Sequence, residues 1–223
     1  MLKVQDIPEG VFIEIEESSQ SLSPLLEREI EKIWKIEVQN RKMFNDPMLS
    51  YLSFNGKKIL ARVVEYKTYL AQIKKEDLYD DLRINPLCVS GITCFNSQVL
   101  VGRRSKGVTQ DGGLWELCPS GGLTPHKTVK EQFLEELEEE AGIKCESVSA
   151  LKPFVLVENQ RSHVVDIGVE AVLNRGGLGA RSGEYTEMQW MKLSGIRKLV
   201  EREKKNFVDV SLELLKVKGL III

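Results

Sequence analysis

The chain has 223 residues, 42% apolar and 29% charged, which excludes a disordered chain and suits one generous α/β domain or a standard domain with a large extension. Its 31 basic and 33 acidic side chains leave a net charge of −2, which excludes a sequence-independent nucleic-acid binder, since that class needs a basic face. Cys88, Cys94, Cys118 and Cys145 are scattered without C-x-x-C or short Cys/His spacing, so they read as free thiols of a reducing cytoplasm.

No charged-then-apolar leader opens the sequence. The alternating run at residues 11–16 predicts a half-buried strand. Ser23-Pro24 then supplies a helix start, and Leu26, Ile30, Ile33 and Trp34 follow at helical spacing, ending before Asn45-Asp46-Pro47. Asn55-Gly56 between residues 48–54 and 59–66 is a strong hairpin signal. A short segment near 66–73 and the charged stretch 74–83 lead to Asn85-Pro86. This divides the chain into an α+β extension, residues 1–85, packed on a core, residues 86–223.

Beyond the boundary, residues 87–95 and 99–102 read as strands around Asn96-Ser97, followed by a polar loop to Gly113. A short extended piece after Trp115 runs into Ser120-Gly121-Gly122, and a helix is predicted from about Thr128 to Ala141. Strands are expected near 147–158, 164–173 and 188–193, with a glycine-rich loop over 174–185 and one or two helices from Ser194. The apolar tail Leu220-Ile221-Ile222-Ile223 is too short to cross a bilayer and is expected to pack on the core or on a second copy, as in a homodimer. No membrane partner is implied, and a cytoplasmic location is expected.

In the helix that follows the glycines, Val129, Phe133 and Leu137 fall at steps of four and define a buried stripe. Glu136, Glu139 and Glu140 share a neighbouring face. Like charges at this spacing repel by about 0.2–0.5 kcal/mol per pair. A divalent cation between them would explain the cluster, and oxygen-only ligands specify a hard ion, Mg²⁺ or Mn²⁺. The alternative is a solvated acidic face. Against it stand the Gly-Gly turn and strand that precede the helix and the Gly142-Ile143 stop that ends it.

The segment from Gly121 to Ile143 resembles the box of the Nudix hydrolase superfamily, G-x5-E-x7-R-E-U-x-E-E-x-G-U with U a bulky aliphatic residue. Gly121, Glu136, Leu137, Glu139, Glu140, Gly142 and Ile143 match it, with Trp115-Glu116-Leu117-Cys118-Pro119 before the glycines and Glu187-Met188-Gln189-Trp190 in a late strand. The resemblance spans roughly residues 86–199 and implies an α/β fold, the family's α/β/α sandwich around a mixed sheet. Two positions depart: the family's first Glu falls on Lys127 and its Arg on Glu135. Because both reverse charge, they suggest a swapped ion pair fixing the loop against the helix. Relaxed selection on a weakened site is the alternative.

The resemblance implies hydrolysis of a nucleoside diphosphate linked to another group. Glu136, Glu139 and Glu140 are the expected metal ligands and catalytic carboxylates, with Glu184 and Glu187 as auxiliary bases. Expected substrate-binding residues are Arg103, Arg104, Gly121, Gly122 and Arg161, with Lys106, Arg175 and Arg181 as further phosphate candidates. Trp115 and His163 are expected to be structural and His126 solvent-exposed. The extension, with Trp34, Asn45-Asp46-Pro47, Phe54-Asn55-Gly56 and Tyr66-Lys67-Thr68-Tyr69-Leu70, resembles that of a UDP-glucose-hydrolysing Nudix branch of animals, which also carries a degraded box. The expected small-molecule partner is therefore a nucleotide sugar, UDP-glucose or UDP-galactose, giving UMP and a sugar 1-phosphate. ADP-ribose and a non-catalytic nucleotide-binding module are the alternatives.

Overall fold

A computed structural model describes residues 1–17, 21–40, 43–179 and 183–222. In chain order the elements are β1 (Leu2–Asp6), β2 (Phe12–Glu16), α1 (Pro24–Asn40), β3 (Pro47–Phe54), β4 (Lys58–Glu65), α2 (Tyr66–Lys74) and α3 (Tyr79–Leu82). There follow β5 (Leu87–Phe95), β6 (Gln98–Arg104), β7 (Trp115–Leu117), β8 (Ser120–Gly122), α4 (Val129–Ala141), β9 (Val148–Asn159), β10 (Val165–Leu173), β11 (Tyr185–Lys192), α5 (Leu193–Glu203) and α6 (Asp209–Val217).

The central sheet is mixed, in the order β1-β9-β10-β5-β6-β11, with β7 paired to β6 and β8 to β5. The β5–β10 pair is parallel, so the fold is α/β as expected. α4 covers one face through Val129, Phe133 and Leu137, packed with Leu87, Val89 and Ile167. The approach is close: a Cβ on Gly91 would lie 2.5 Å from the Phe133 ring. α5 and α6 cover the other face through Ile196, Leu199, Leu212 and Leu214, against Ile92, Val101 and Val155. Burying both faces explains the near-continuous apolar character of β10.

The predicted hairpin is present: Asn55 Oδ1 accepts from the backbone N–H groups of Lys57 and Lys58, and Gly56 takes φ 90°. β3 and β4 join β2 in a smaller sheet, β2-β4-β3. α1, α2 and α3 enclose their own cluster of Ile30, Tyr69, Leu78, Leu82 and Ile84. Within the first 85 residues, β1 was not foreseen. It is a short edge strand whose partner β9 lies some 150 residues away (Leu2↔Asn159), so no local pattern announces the pairing. β6 runs to Arg104, into the expected loop, because β7 returns to pair with it (Arg103↔Trp115). β11 begins at Tyr185, opposite Arg104. In the apolar tail, Ile221 is buried against α5 and α6 and Ile222 is exposed; Ile223 lies outside the described residues. Among the described residues no helix is long and apolar enough to cross a membrane.

Candidate active site

α4 carries the acidic side chains, and local chemistry fixes both its ends. Thr128 is the N-cap: its Oγ1 accepts from Glu131 N–H at 3.2 Å, and Glu131 Oε2 accepts from Thr128 N–H at 2.8 Å, a reciprocal capping box that the T-x-x-E spacing encodes. Gly142, at φ 65°, stops the helix in the left-handed region. Lys127 Nζ donates to Glu135 Oε2, so the two charge-reversed positions are a salt bridge tying the loop to the helix.

Glu136 lies over the glycine turn. A Cβ on Gly121 would sit 2.1 Å from its carboxyl carbon, so a side chain there would have to displace the Glu136 carboxyl. Gln132, one turn earlier and buried, donates from Nε2 to Glu136 Oε1 at 2.8 Å while its own Oε1 accepts from the N–H and hydroxyl of Thr124. Burial pushes the Glu136 carboxyl up to about 7, with Gln132 pulling against it and the Glu139 and Glu184 charges adding to the rise.

Glu140 is only 1% exposed. Its Oε2 accepts from Ser120 N–H and from the Tyr185 hydroxyl, both at 3.2 Å, while Oε1 is buried without a hydrogen-bond partner. Burial, reinforced by Glu116 and Glu136, drives this carboxyl well above the ordinary range. Glu139, by contrast, is exposed.

Behind Glu140 lies a network that sequence reasoning missed. Tyr185 also donates to Glu116 Oε1 at 2.7 Å, and Arg104 Nη1 donates to the same oxygen at 2.5 Å. Its single hydroxyl proton serves one carboxylate at a time. Burial opposes the Arg104 charge, but Glu116 outweighs it and holds the guanidinium above its usual value. Burial in turn holds Glu116 above the usual carboxylate range, against Arg104 and Tyr185.

A cleft of about 290 Å³ gathers Arg104, Gly121, Gly122 and Arg161 with Asp166 and Asp209. Arg161 Nη2 is 3.2 Å from Asp209 Oδ2. Asp166 accepts from the Ser90 hydroxyl at 2.7 Å, and burial pushes its carboxyl up to about 7. An acid set among the apolar residues at the start of β10 was the available signal for it. Arg103 is placed elsewhere: Nε donates to Gly113 O at 3.2 Å, and the guanidinium lies over the buried Trp115 ring. Glu187 accepts from Gln189, His163 stacks on Tyr79 at 3.5 Å, and His126, Lys106 and Arg175 are exposed; Arg181 lies outside the described residues.

These oxygen donors fit a hard divalent ion. The orphaned Glu140 Oε1 is a buried acceptor awaiting a partner, and Gly121 clears the space before Glu136. Among the described residues no three His, Cys, Asp or Glu side chains form a closed cage, so the expected triple of Glu136, Glu139 and Glu140 is not gathered as one. An ion that keeps waters and completes its shell with phosphate needs no such cage.

Residues 85–210 match the NUDIX domain. No curated protein matches the chain. A bifunctional NMN adenylyltransferase/ADP ribose pyrophosphatase from Francisella tularensis superposes with a TM-score of 0.52 at 17% identity, over 67% of this chain and 44% of that one. The same enzyme complexed with AMP and a Mn ion gives 0.52 and 17%, over 69% and 47%, so this chain spans less than half of the bifunctional protein. The NUDIX domain of Shewanella oneidensis NrtR, complexed with ADP ribose, gives 0.50 at 15% identity, over 65% of this chain and 96% of that one. At these identities the likeness is one of fold.

Proposed function

Because the chain belongs to the NUDIX domain family, we propose that it hydrolyses the pyrophosphate bond of a nucleoside diphosphate sugar with a divalent cation, UDP-glucose or UDP-galactose being the first candidates. The single observation that carries this reading is Glu140, a buried carboxylate with one oxygen left unpartnered, on the same helix as Glu136. Glu136 and Glu140 would hold Mg²⁺ or Mn²⁺, which when bound neutralises diphosphate charge and steadies the leaving oxygen.

The chain's own residues do the rest. Ser120 N–H and Tyr185 fix one oxygen of Glu140 and leave the other for the ion. Gln132 orients Glu136 across Gly121. Glu139, on the exposed side of α4, or Glu184, on the loop before β11, accepts the proton of the attacking water. A new bond forms from water oxygen to one phosphorus, the bond from that phosphorus to the bridging oxygen breaks, and the bridging oxygen leaves with the other phosphate. From UDP-glucose the products are UMP and glucose 1-phosphate. Arg161, reaching from the rim of the charged cleft, binds phosphate. The salt bridge of Lys127 with Glu135 supports a working loop rather than a decayed one.

The test is phosphatase-coupled phosphate release from UDP-glucose, UDP-galactose, ADP-ribose, dinucleoside polyphosphates and nucleoside triphosphates, with and without Mg²⁺. ADP-ribose belongs in the panel because it appears in the names of both neighbours. Mg²⁺-dependent turnover lost in Glu136→Gln and Glu140→Gln is the expected result. Silence across the panel, with nucleotide still raising the Tm, would make the chain a binding module instead.

A further inference from the structure

A second cleft, of about 630 Å³, lies where the N-terminal extension meets the core. That volume is in the range of small-molecule sites. One side comes from Phe44, just before β3, from Met48 in β3, and from Tyr66 and Tyr69 in α2. The other side comes from the core, including Gly122 and Glu184. The aromatic wall is fixed in place. Tyr66 and Tyr69 meet edge to face at 6.5 Å between centroids, and Gln110 Nε2 donates to the Tyr69 hydroxyl at 2.9 Å.

Two properties define what this cleft takes. Its charged lining residues are Asp46 and Glu184, both acidic, and no Lys or Arg lines it among the described residues, so it is unsuited to phosphate. It does suit a flat, uncharged ring whose N–H groups can donate to Asp46. The 290 Å³ cleft has a different character: Arg104, Arg161 and Lys205 line it beside Glu116 and three aspartates, a mixed lining of donors and acceptors that suits the hydroxyls of a sugar. The clefts share Cys88, Gln110 and Gly122 and so run into one another across β8. Gly122 follows the glycine packed on Glu136, and the Glu184 charge acts on both Glu136 and Glu140.

We infer that the extension supplies the nucleobase site: the base stacks on the Phe44 and Tyr66 wall, with buried Tyr69 backing it, and the sugar beyond the diphosphate lies in the charged cleft. This rests on the hydrolase reading and adds the direction in which the substrate lies. The experiment is photo-crosslinking of the full chain with 5-azido-UDP-glucose and 8-azido-ADP-ribose, followed by peptide mapping, beside steady-state kinetics of Phe44→Ala and Tyr66→Ala. Label is expected within residues 43–48 or 66–69. Phe44→Ala, a truncation at a side chain 65% exposed, should raise KM about tenfold and more than it lowers kcat, the scale of one lost base–aromatic stack. Label within residues 159–164 or 205–210 would overturn the inference and leave the hydrolase reading standing. So would turnover with no label in either region, or an unchanged KM. Absence of both label and turnover would overturn the hydrolase reading and this inference with it.

Discussion

α4 carries two charged arrangements of opposite design. At its start, Lys127 and Glu135 meet in the open, 35% and 40% exposed, and water screens both. Near its end, Glu140 is sealed with Glu116, Arg104 and Tyr185, one carboxylate oxygen has no partner, and burial drives the carboxyls upward. The first arrangement is a tether between the loop and the helix, with its two charges reversed relative to the pattern the segment resembles. The second concentrates buried, electrostatically unfavourable carboxylates in one place, the pattern expected of a functional site rather than a structural one. Substitutions at the two places should therefore separate activity from stability in opposite ways.

The largest effect is expected at Glu140. In the proposed hydrolase Glu140→Gln replaces a cation-holding oxygen, so turnover should fall about 10³-fold. It also replaces a buried carboxylate by a neutral amide, so the Tm should rise. A variant both less active and less stable would show Glu140 to be a structural residue. Next comes Arg104→Met, which leaves Glu116 buried with only Tyr185 for a partner. Removing one member of a buried pair costs about 3 kcal/mol, to be read from urea unfolding.

Asp166 extends the comparison to the charged cleft. Its carboxyl is raised from 3.8 to about 7 in the folded chain, so the fold holds this proton more tightly than the unfolded chain does. The contribution is complete below about pH 4 and is lost as pH rises through about 7. Asp166→Asn should therefore gain stability over the wild type between pH 4 and pH 8, by about 2–4 kcal/mol. A difference that stays flat with pH would mean that the carboxylate is already ionised in the fold at low pH.

How much of this was legible follows from where each signal lies. Val129, Phe133 and Leu137, the Gly142 stop and the Asn55-Gly56 hairpin are local patterns, and all are realised in the structure. The Glu140 network joins β6, β7, α4 and β11, and a hydrogen bond from Tyr185 to Glu116 crosses 69 positions that no periodicity links. β1 pairs with β9 at still longer range. Gln132 falls between: it sits one turn before Glu136 in the helix already predicted, and an amide four residues from a carboxylate was a readable pair. The aromatic residues of the extension were visible one by one. Their gathering around a cleft depends on how the hairpin and α2 dock beside Gly122, which is tertiary information.

The smallest effect, and the one that sharpens the contrast most, is expected at the exposed pair. Lys127→Ala removes one charge from a bridge that solvent reaches from both sides, so it should cost less than about 1 kcal/mol. Lys127→Glu sets two like charges together and should cost somewhat more, with the excess vanishing in 0.5 M salt because a Debye length of about 4–5 Å screens it. Restoring the family's polarity with Lys127→Glu and Glu135→Arg together should bring stability back to within about 0.5 kcal/mol of the wild type, a coupling that the double-mutant cycle measures directly. Turnover should track the pair's presence rather than its sign, because the pair acts by holding the Gly121–Thr128 loop to α4 while Gln132 makes the contact to Glu136. If the double reversal instead raised turnover severalfold, the cation at position 135 would itself assist the neighbouring Glu136, and the swap would be a loss of function rather than an exchange of equals.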